Sequence, residues 1–139
     1  MTEIKENIKD SDIINTIENS EVIVRLRRDG IVHATYKKDT VFDVAMQLKM
    51  LEINNTITGG KKSYFIYDAE DNVTITKEAR DNAPKIEHLA PVKGSVVVAS
   101  SLAYRMVANF YVKFNKPKTP FKVVDSLEKA VEWIKNLPA

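Results

Sequence analysis

The stretch from residue 95 to residue 136 constrains the fold more than any other part of the sequence. It reads as an apolar strand at 95–99, an amphipathic helix opened by two serines, a second strand at 121–124 and a closing helix. A basic corner with two prolines separates the long helix from the second strand. Strands alternate with helices here, so the stretch predicts an α/β fold in which helices cover a sheet of parallel strands.

The upstream part of the chain adds a hairpin and two further strand–helix units. Asp29-Gly30 forms its turn, since glycine tolerates the positive φ that a two-residue hairpin turn needs. The predicted elements are strands at 22–27 and 31–36, a helix at 41–57, a strand at 64–68 and a short helix starting near Thr74 or Thr76. This order predicts a mixed sheet, largely parallel at its centre, with an N-terminal hairpin and about four covering helices.

The chain of 139 residues has the size of a single domain. Residues 1–20 are polar and acidic with weak periodicity, and we expect a loosely ordered leader there. The domain itself is expected to occupy residues 21–139. The leader is unlike a signal peptide, and no apolar run approaches the roughly 20 residues that cross a bilayer. We therefore expect a soluble, cytoplasmic protein.

Composition argues against several classes of function. A net charge of +2 gives no strong field for nucleic acid, and the absence of cysteine excludes thiolate chemistry and disulfides. No cluster of carboxylates and histidines has metal-ligand spacing, and no glycine-rich loop has the spacing that cradles a phosphate. His33 and His88 are the only histidines, and neither lies near a nucleophile motif. We expect a non-enzymatic protein without a cofactor.

Several short phrases, in this order and spacing, resemble the small SpoIIAA-like proteins, the fold of the STAS domains and of bacterial anti-sigma-factor antagonists. The likeness is closer to a subgroup of uncharacterised single-domain bacterial proteins with that fold. It extends from about residue 20 to the C-terminus. The phrases that carry it are Asp29–His33, Thr76–Arg80, Arg105–Phe110, Lys116–Pro120 and Ala130–Ile134.

The resemblance implies a protein-interaction or regulatory module with an unknown protein partner. In the anti-sigma-antagonist branch, a serine or threonine after an aspartate opens the second helix and is phosphorylated. The Asp-Ser-Ser-Gly phrase of that site is absent here, and Thr74 or Thr76 takes the serine's place by position only. The candidates for partner contact or phosphorylation are Asp68, Thr74, Thr76, Lys77 and Ser101. The simpler interpretation makes Thr76 a helix N-cap and Asp68 a turn residue.

A basic segment near the C-terminus supports an alternative function. No acidic residue occurs between Glu87 and Asp125, whereas lysine and arginine recur there. A small anionic ligand or a lipid headgroup is the expected occupant, in a small-molecule or lipid-binding domain with a basic pocket. The residues assigned to it are Arg105, Asn109, Lys116 and Lys118. Lysines near a helix C-terminus are also favoured by the helix dipole alone, so a solvated helix face is the competing interpretation.

The predicted helix at 41–57 carries two apolar stripes. If Val44, Leu48 and Leu51 face the sheet, the second stripe forms an exposed patch that predicts a homodimer or another partner surface. That patch consists of Phe42, Met46, Met50 and Ile53. In the alternative, isoleucines of residues 1–20 fold over the second stripe.

Overall fold

The computed structural model of the protein describes residues 12–99, 101 and 118–138. Eight strands, three α-helices and a short 3-10 turn lie in these residues. The strands are β1 (Ile13–Glu18), β2 (Val22–Arg27), β3 (Val32–Tyr36), β4 (Val41–Phe42), β5 (Ser63–Ala69), β6 (Thr74–Ile75), β7 (Val92–Val98) and β8 (Phe121–Val124). The helices are α1 (Val44–Thr58), α2 (Lys77–Ile86) and α3 (Leu127–Lys135), and the 3-10 turn is Glu87–Leu89.

Six strands form one mixed sheet in the order β1-β2-β3-β5-β7-β8. The first three strands pair antiparallel, and β3, β5, β7 and β8 run parallel. The predicted hairpin followed by strand–helix units is therefore confirmed. The long helix predicted after Ser101 falls outside the described residues, so the expected count of about four helices is not confirmed.

The first part of the sheet contains a strand that the sequence assigns to the leader. Residues 13–18 form β1, which pairs with β2 at the edge of the sheet. Ile17 packs against the core cluster that contains Met46 and Met50, whereas Ile14 points outward and is exposed. Residues 13–18 are thus part of the sheet, because the antiparallel pairing with β2, irregular between Ile13 and Asn15, and one apolar side chain hold β1 in place.

Helix α1 begins three residues later than predicted. Val41 and Phe42 form the two-residue strand β4, and the Asp43 carboxylate caps the helix by accepting a hydrogen bond from Met46 N at 2.8 Å. Gly59, in the left-handed region at φ 65°, ends the helix as expected.

The face that α1 turns to the sheet is opposite to the predicted one. Met46, Met50 and Ile53 are buried in a core cluster with the apolar face of β2, β3 and β5, and Phe42 packs against the same cluster. Leu48, expected to face the sheet, is 49% exposed. The predicted oligomer patch is therefore core. The methionine–isoleucine stripe offers more apolar area to bury than the stripe that includes Ala45, and that area decides the rotation of the helix.

The opposite face of the sheet is covered by α3. Its residues Leu127, Ala130 and Ile134 pack on Ile66 and on the inward side chains of β7. The Ser126 hydroxyl caps the helix by accepting a hydrogen bond from Lys129 N at 3.2 Å. This helix is the closing helix that the sequence predicts after the strand at 121–124.

Candidate functional site

Two loops at the carboxyl edge of the sheet join into one surface, which we call the ledge (residues 37–43 and 70–76). Its centre is the parallel pairing of β4 with β6, in which Val41 lies opposite Thr74. Thr74 N donates to Thr40 O, and Thr76 N donates to Phe42 O, each at 3.1 Å. Backbone hydrogen bonds therefore connect the loop before α1 with the loop before α2.

A second tie holds the base of the ledge. Asp39 and Asn72 both adopt the left-handed region, at φ 67° and 60°. Asn72 Nδ2 donates to Asp39 Oδ1 at 2.9 Å, and Asp39 N donates to Asp71 O at 3.0 Å. Asparagine and aspartate tolerate this conformation better than most residues. The two loops are thus locked to each other at both ends.

The exposed side of the ledge carries an aliphatic group and a hydroxyl, and a cation at the start of α2 follows the ledge directly in the chain. Val41 is 51% exposed, and Thr74 and Lys77 are also exposed. Lys77 Nζ lies 2.6 Å from Asp81 Oδ2, and this hydrogen bond raises the pKa of Lys77 and lowers the pKa of Asp81. Both groups are fully solvated, so the pair adds little to stability. An exposed aliphatic side chain next to exposed polar groups is suited to contact with the surface of another molecule.

Thr76 serves as the N-cap of α2. Its hydroxyl accepts a hydrogen bond from Ala79 N at 3.2 Å, and the residue is half-buried. The simpler interpretation of Thr76 is thus confirmed, because the oxygen satisfies one of the unpaired donors of the first turn. Phosphorylation at Thr74 or Thr76 stays a prediction.

Asp68 lies beneath the sheet edge and not on the surface. It is 1% exposed, and its Oδ2 forms a hydrogen bond with Nε2 of the equally buried His33. Its expected role in partner contact is therefore wrong, because parallel pairing places Asp68 opposite Thr35 in the centre of the sheet. Within the described part of the chain, Asp68 Oδ1 has no hydrogen-bond partner.

Polar side chains from β2 and β3 complete the surroundings of Asp68. Arg25 Nη1 donates to Thr35 Oγ1 at 3.2 Å, and that oxygen lies 3.5 Å from His33 Nε2. Burial lowers the pKa of Arg25, while the Asp68 and Glu18 carboxylates oppose this shift. The sequence alone treats His33 as an isolated histidine. Its alternation with Thr35 on one strand face is the signal that indicates a shared polar cluster.

Two other predicted site residues lie in the described part of the chain, and both are exposed. Ser101 follows β7 at the carboxyl edge and is exposed. Lys118 is exposed, and its backbone N–H donates to Glu87 Oε2 at 3.0 Å. Arg105, Asn109 and Lys116 lie outside the described residues, so the basic pocket stays a prediction. In the described residues, no group of three or more histidine and carboxylate side chains could hold a metal ion. No helix there is long and apolar enough to span a membrane.

Comparison with solved structures identifies the architecture. The chain is similar to an uncharacterised protein of the DUF3478 family with a SpoIIAA-like fold, from Shewanella loihica PV-4. The TM-score is 0.55 at 11% sequence identity, and the match covers 86% of this chain and 98% of the other. At this identity the likeness establishes the fold alone, and it confirms the SpoIIAA-like fold that the sequence phrases indicate.

Sequence comparison supplies the family. No curated protein matches the chain. The profile of a domain of unknown function, DUF7793, matches residues 24–138, which is most of the described sheet and all three helices. With its SpoIIAA-like fold, the chain therefore belongs to the DUF7793 family.

Proposed function

We propose that the protein is a non-enzymatic protein-interaction module of the STAS type that binds a protein partner through the ledge. The observation that carries this proposal is the locking of the two loops by backbone and side-chain hydrogen bonds. A surface that is already ordered loses little conformational entropy when a partner binds.

The composition of the ledge supports the same role. Val41 offers an aliphatic contact that is exposed in the free protein, Thr74 lies opposite it in the strand pairing, and the exposed Lys77 begins the helix that follows. An apolar contact within a polar rim is the usual anatomy of a protein–protein interface. If a kinase regulates the module, Thr74 is the better acceptor, because the Thr76 hydroxyl is occupied as a helix cap.

Leu89 provides a matched control for Val41. It is 52% exposed against 51% for Val41, and it lies in the 3-10 turn before β7, at the other end of α2. Two variants with a photo-crosslinking amino acid, one at position 41 and one at position 89, should be expressed in the protein's own cells. We expect one partner to be recovered at least about fivefold more from position 41, as a confined interface requires.

A substitution then tests the same surface without a crosslinker. Thr74→Arg should reduce crosslinking from position 41 by about tenfold, because a long charged side chain would stand in the centre of the interface. Thr56→Arg, on the exposed side of α1, is the control and should leave the crosslinking yield from position 41 unchanged. Equal yields from positions 41 and 89, or full crosslinking in a folded Thr74→Arg protein, would contradict the proposal.

A further inference from the structure

A cavity of about 290 Å³ lies between the two helices α1 and α2 and the sheet. Met50 and Asn54 of α1 and Ala83 of α2 form its helical wall. Tyr67, Val97 and Phe121 contribute from β5, β7 and β8. This volume is at the lower limit of the pockets that hold small organic ligands.

Aromatic rings dominate one side of the cavity. Tyr36, Phe42 and Tyr67 all line it. The rings of Tyr36 and Phe42 meet edge to face with centroids 5.3 Å apart, and Tyr36 and Tyr67 stack at 6.5 Å. A flat aromatic molecule packs well against such a wall, because ring–ring contacts add to the burial of apolar area.

The charged side chains that the described residues contribute to the cavity wall already form hydrogen bonds with other residues of the protein. Arg80 Nη1 donates to Ile75 O at 2.9 Å, and Glu87 Oε2 accepts from Lys118 N at 3.0 Å. A charged ligand would have to give up its hydration for a largely apolar cavity in which these groups are engaged elsewhere. The cavity therefore favours a neutral ligand.

One buried amide oxygen in a residue of the wall lacks a hydrogen-bond partner among the described residues. The Gln47 amide is satisfied, since Nε2 donates to Ala79 O at 2.8 Å and Oε1 accepts from Asn82 Nδ2 at 2.9 Å. Asn54, two turns further along α1, is buried, and its Oδ1 has no hydrogen-bond partner among the residues that the structure describes. Buried polar groups in native proteins are almost always hydrogen-bonded, so an orphaned amide oxygen beside a cavity indicates a missing donor.

We propose that this cavity binds a small neutral aromatic molecule that carries one hydroxyl or amide donor, with the ring against Tyr36, Phe42 and Tyr67 and the donor on the Asn54 amide. This inference does not depend on the ledge or on its partner. A bound molecule would also tie α1 and α2 to the sheet.

The probes are 2-naphthol and naphthalene, which share the ring system and differ in the hydroxyl group. At neutral pH both are uncharged. Titration into the full chain, followed by backbone amide NMR, should give saturable shifts at cavity residues and a Kd for each probe. We expect 2-naphthol to bind at least about fivefold more tightly, because naphthalene leaves the Asn54 oxygen unpaired.

Two alanines test the location of the site. Ala83→Phe places a ring inside the cavity, and we expect the Kd of 2-naphthol to rise by about tenfold or more. Ala45→Phe makes the same change on the exposed side of α1 and should leave the Kd unchanged. If Ala83→Phe loses spectral dispersion, Val97→Phe fills the cavity from the sheet side instead.

Asn54→Leu tests the polar contact. The variant should bind both probes with Kd values within about twofold of each other, since the hydroxyl no longer has an acceptor. The proposal is overturned if neither probe binds the parent protein at its solubility limit, or if a cavity-filling variant binds as the parent does. An unchanged preference for 2-naphthol in Asn54→Leu would overturn the assignment of Asn54.

Discussion

On each face of the sheet, one buried polar oxygen has no hydrogen-bond partner in the described residues, but the surroundings of the two oxygens are opposite. On the α3 face, Asp68 Oδ1 belongs to a carboxylate that also binds His33 and lies near Arg25. On the α1 face, Asn54 Oδ1 belongs to a neutral amide at the wall of a mostly apolar cavity. The first oxygen is part of a packed polar cluster, whereas the second is a buried atom of a residue that lines a cavity.

This difference separates stability from binding. A buried carboxylate depends on its fixed neighbours, because without them its desolvation would be uncompensated. A buried amide beside a cavity can instead obtain its partner from a ligand. The contrast predicts that substitutions in the polar cluster on the α3 face lower stability most. On the α1 face, substitutions in the packed core should lower stability, whereas substitutions of the cavity amide should change ligand binding.

The strongest test removes the carboxylate of the polar cluster. Asp68→Ala should lower the free energy of unfolding by about 3–5 kcal/mol, because His33 then loses its buried hydrogen-bond partner and Arg25 loses a neighbouring carboxylate. Urea unfolding followed by circular dichroism measures this change. Asp81→Ala, an exposed aspartate on α2, is the control and should leave the midpoint nearly unchanged. A loss below about 1 kcal/mol for Asp68→Ala would mean that the cluster is not a structural unit.

The second test compares the two stripes of α1. Met50 is 3% exposed and Leu48 is 49% exposed, which is the reverse of the arrangement that would make the methionine stripe an oligomer patch. Met50→Ala should cost about 2–5 kcal/mol through lost burial and an enlarged cavity. Leu48→Ala should change the free energy of unfolding by about 0.5 kcal/mol or less. Equal losses from the two substitutions in the same unfolding assay would contradict the observed rotation of the helix.

The architecture was predictable because its signals are local. The apolar strand at 95–98 and the closing helix after Ser126 each depend on a few neighbouring residues, and the structure has both. The predicted two-residue turn at Asp29-Gly30 is instead a longer turn, in which Gly30 at φ 86° donates its N–H to Arg27 O and Arg27 N donates to Ile31 O. The alternation of strands with helices then leaves few ways to build a sheet. Local patterns of this kind were sufficient for the mixed α/β sheet, and the resemblance of the short phrases to a known family added the SpoIIAA-like fold.

The candidate sites were harder to predict because they depend on distant pairs. His33 and Asp68 are 35 residues apart, and only the register between β3 and β5 brings them together. The strands β4 and β6 have two residues each, too few for a periodic pattern. The rotation of α1 was a choice between two apolar stripes, and helical periodicity alone does not say which stripe meets the sheet.

The smallest expected change in the free energy of unfolding is a gain in stability, and it tests the α1 face. Asn54→Leu removes a buried amide whose oxygen is unpaired, and it replaces asparagine with a better helix former. We expect stability to stay equal or to rise by up to about 1 kcal/mol in the absence of a ligand.

The neighbouring asparagine is the matched control. Asn55 Nδ2 donates to Leu51 O at 3.0 Å and to Leu89 O at 3.3 Å. Asn55→Leu brings the same gain in helix propensity but removes both bonds, so its free energy of unfolding should lie below that of Asn54→Leu. If Asn54→Leu is the less stable of the two, the Asn54 amide is satisfied within the folded protein. The two faces would then both use their buried polar groups for stability, and the distinction between them would fail.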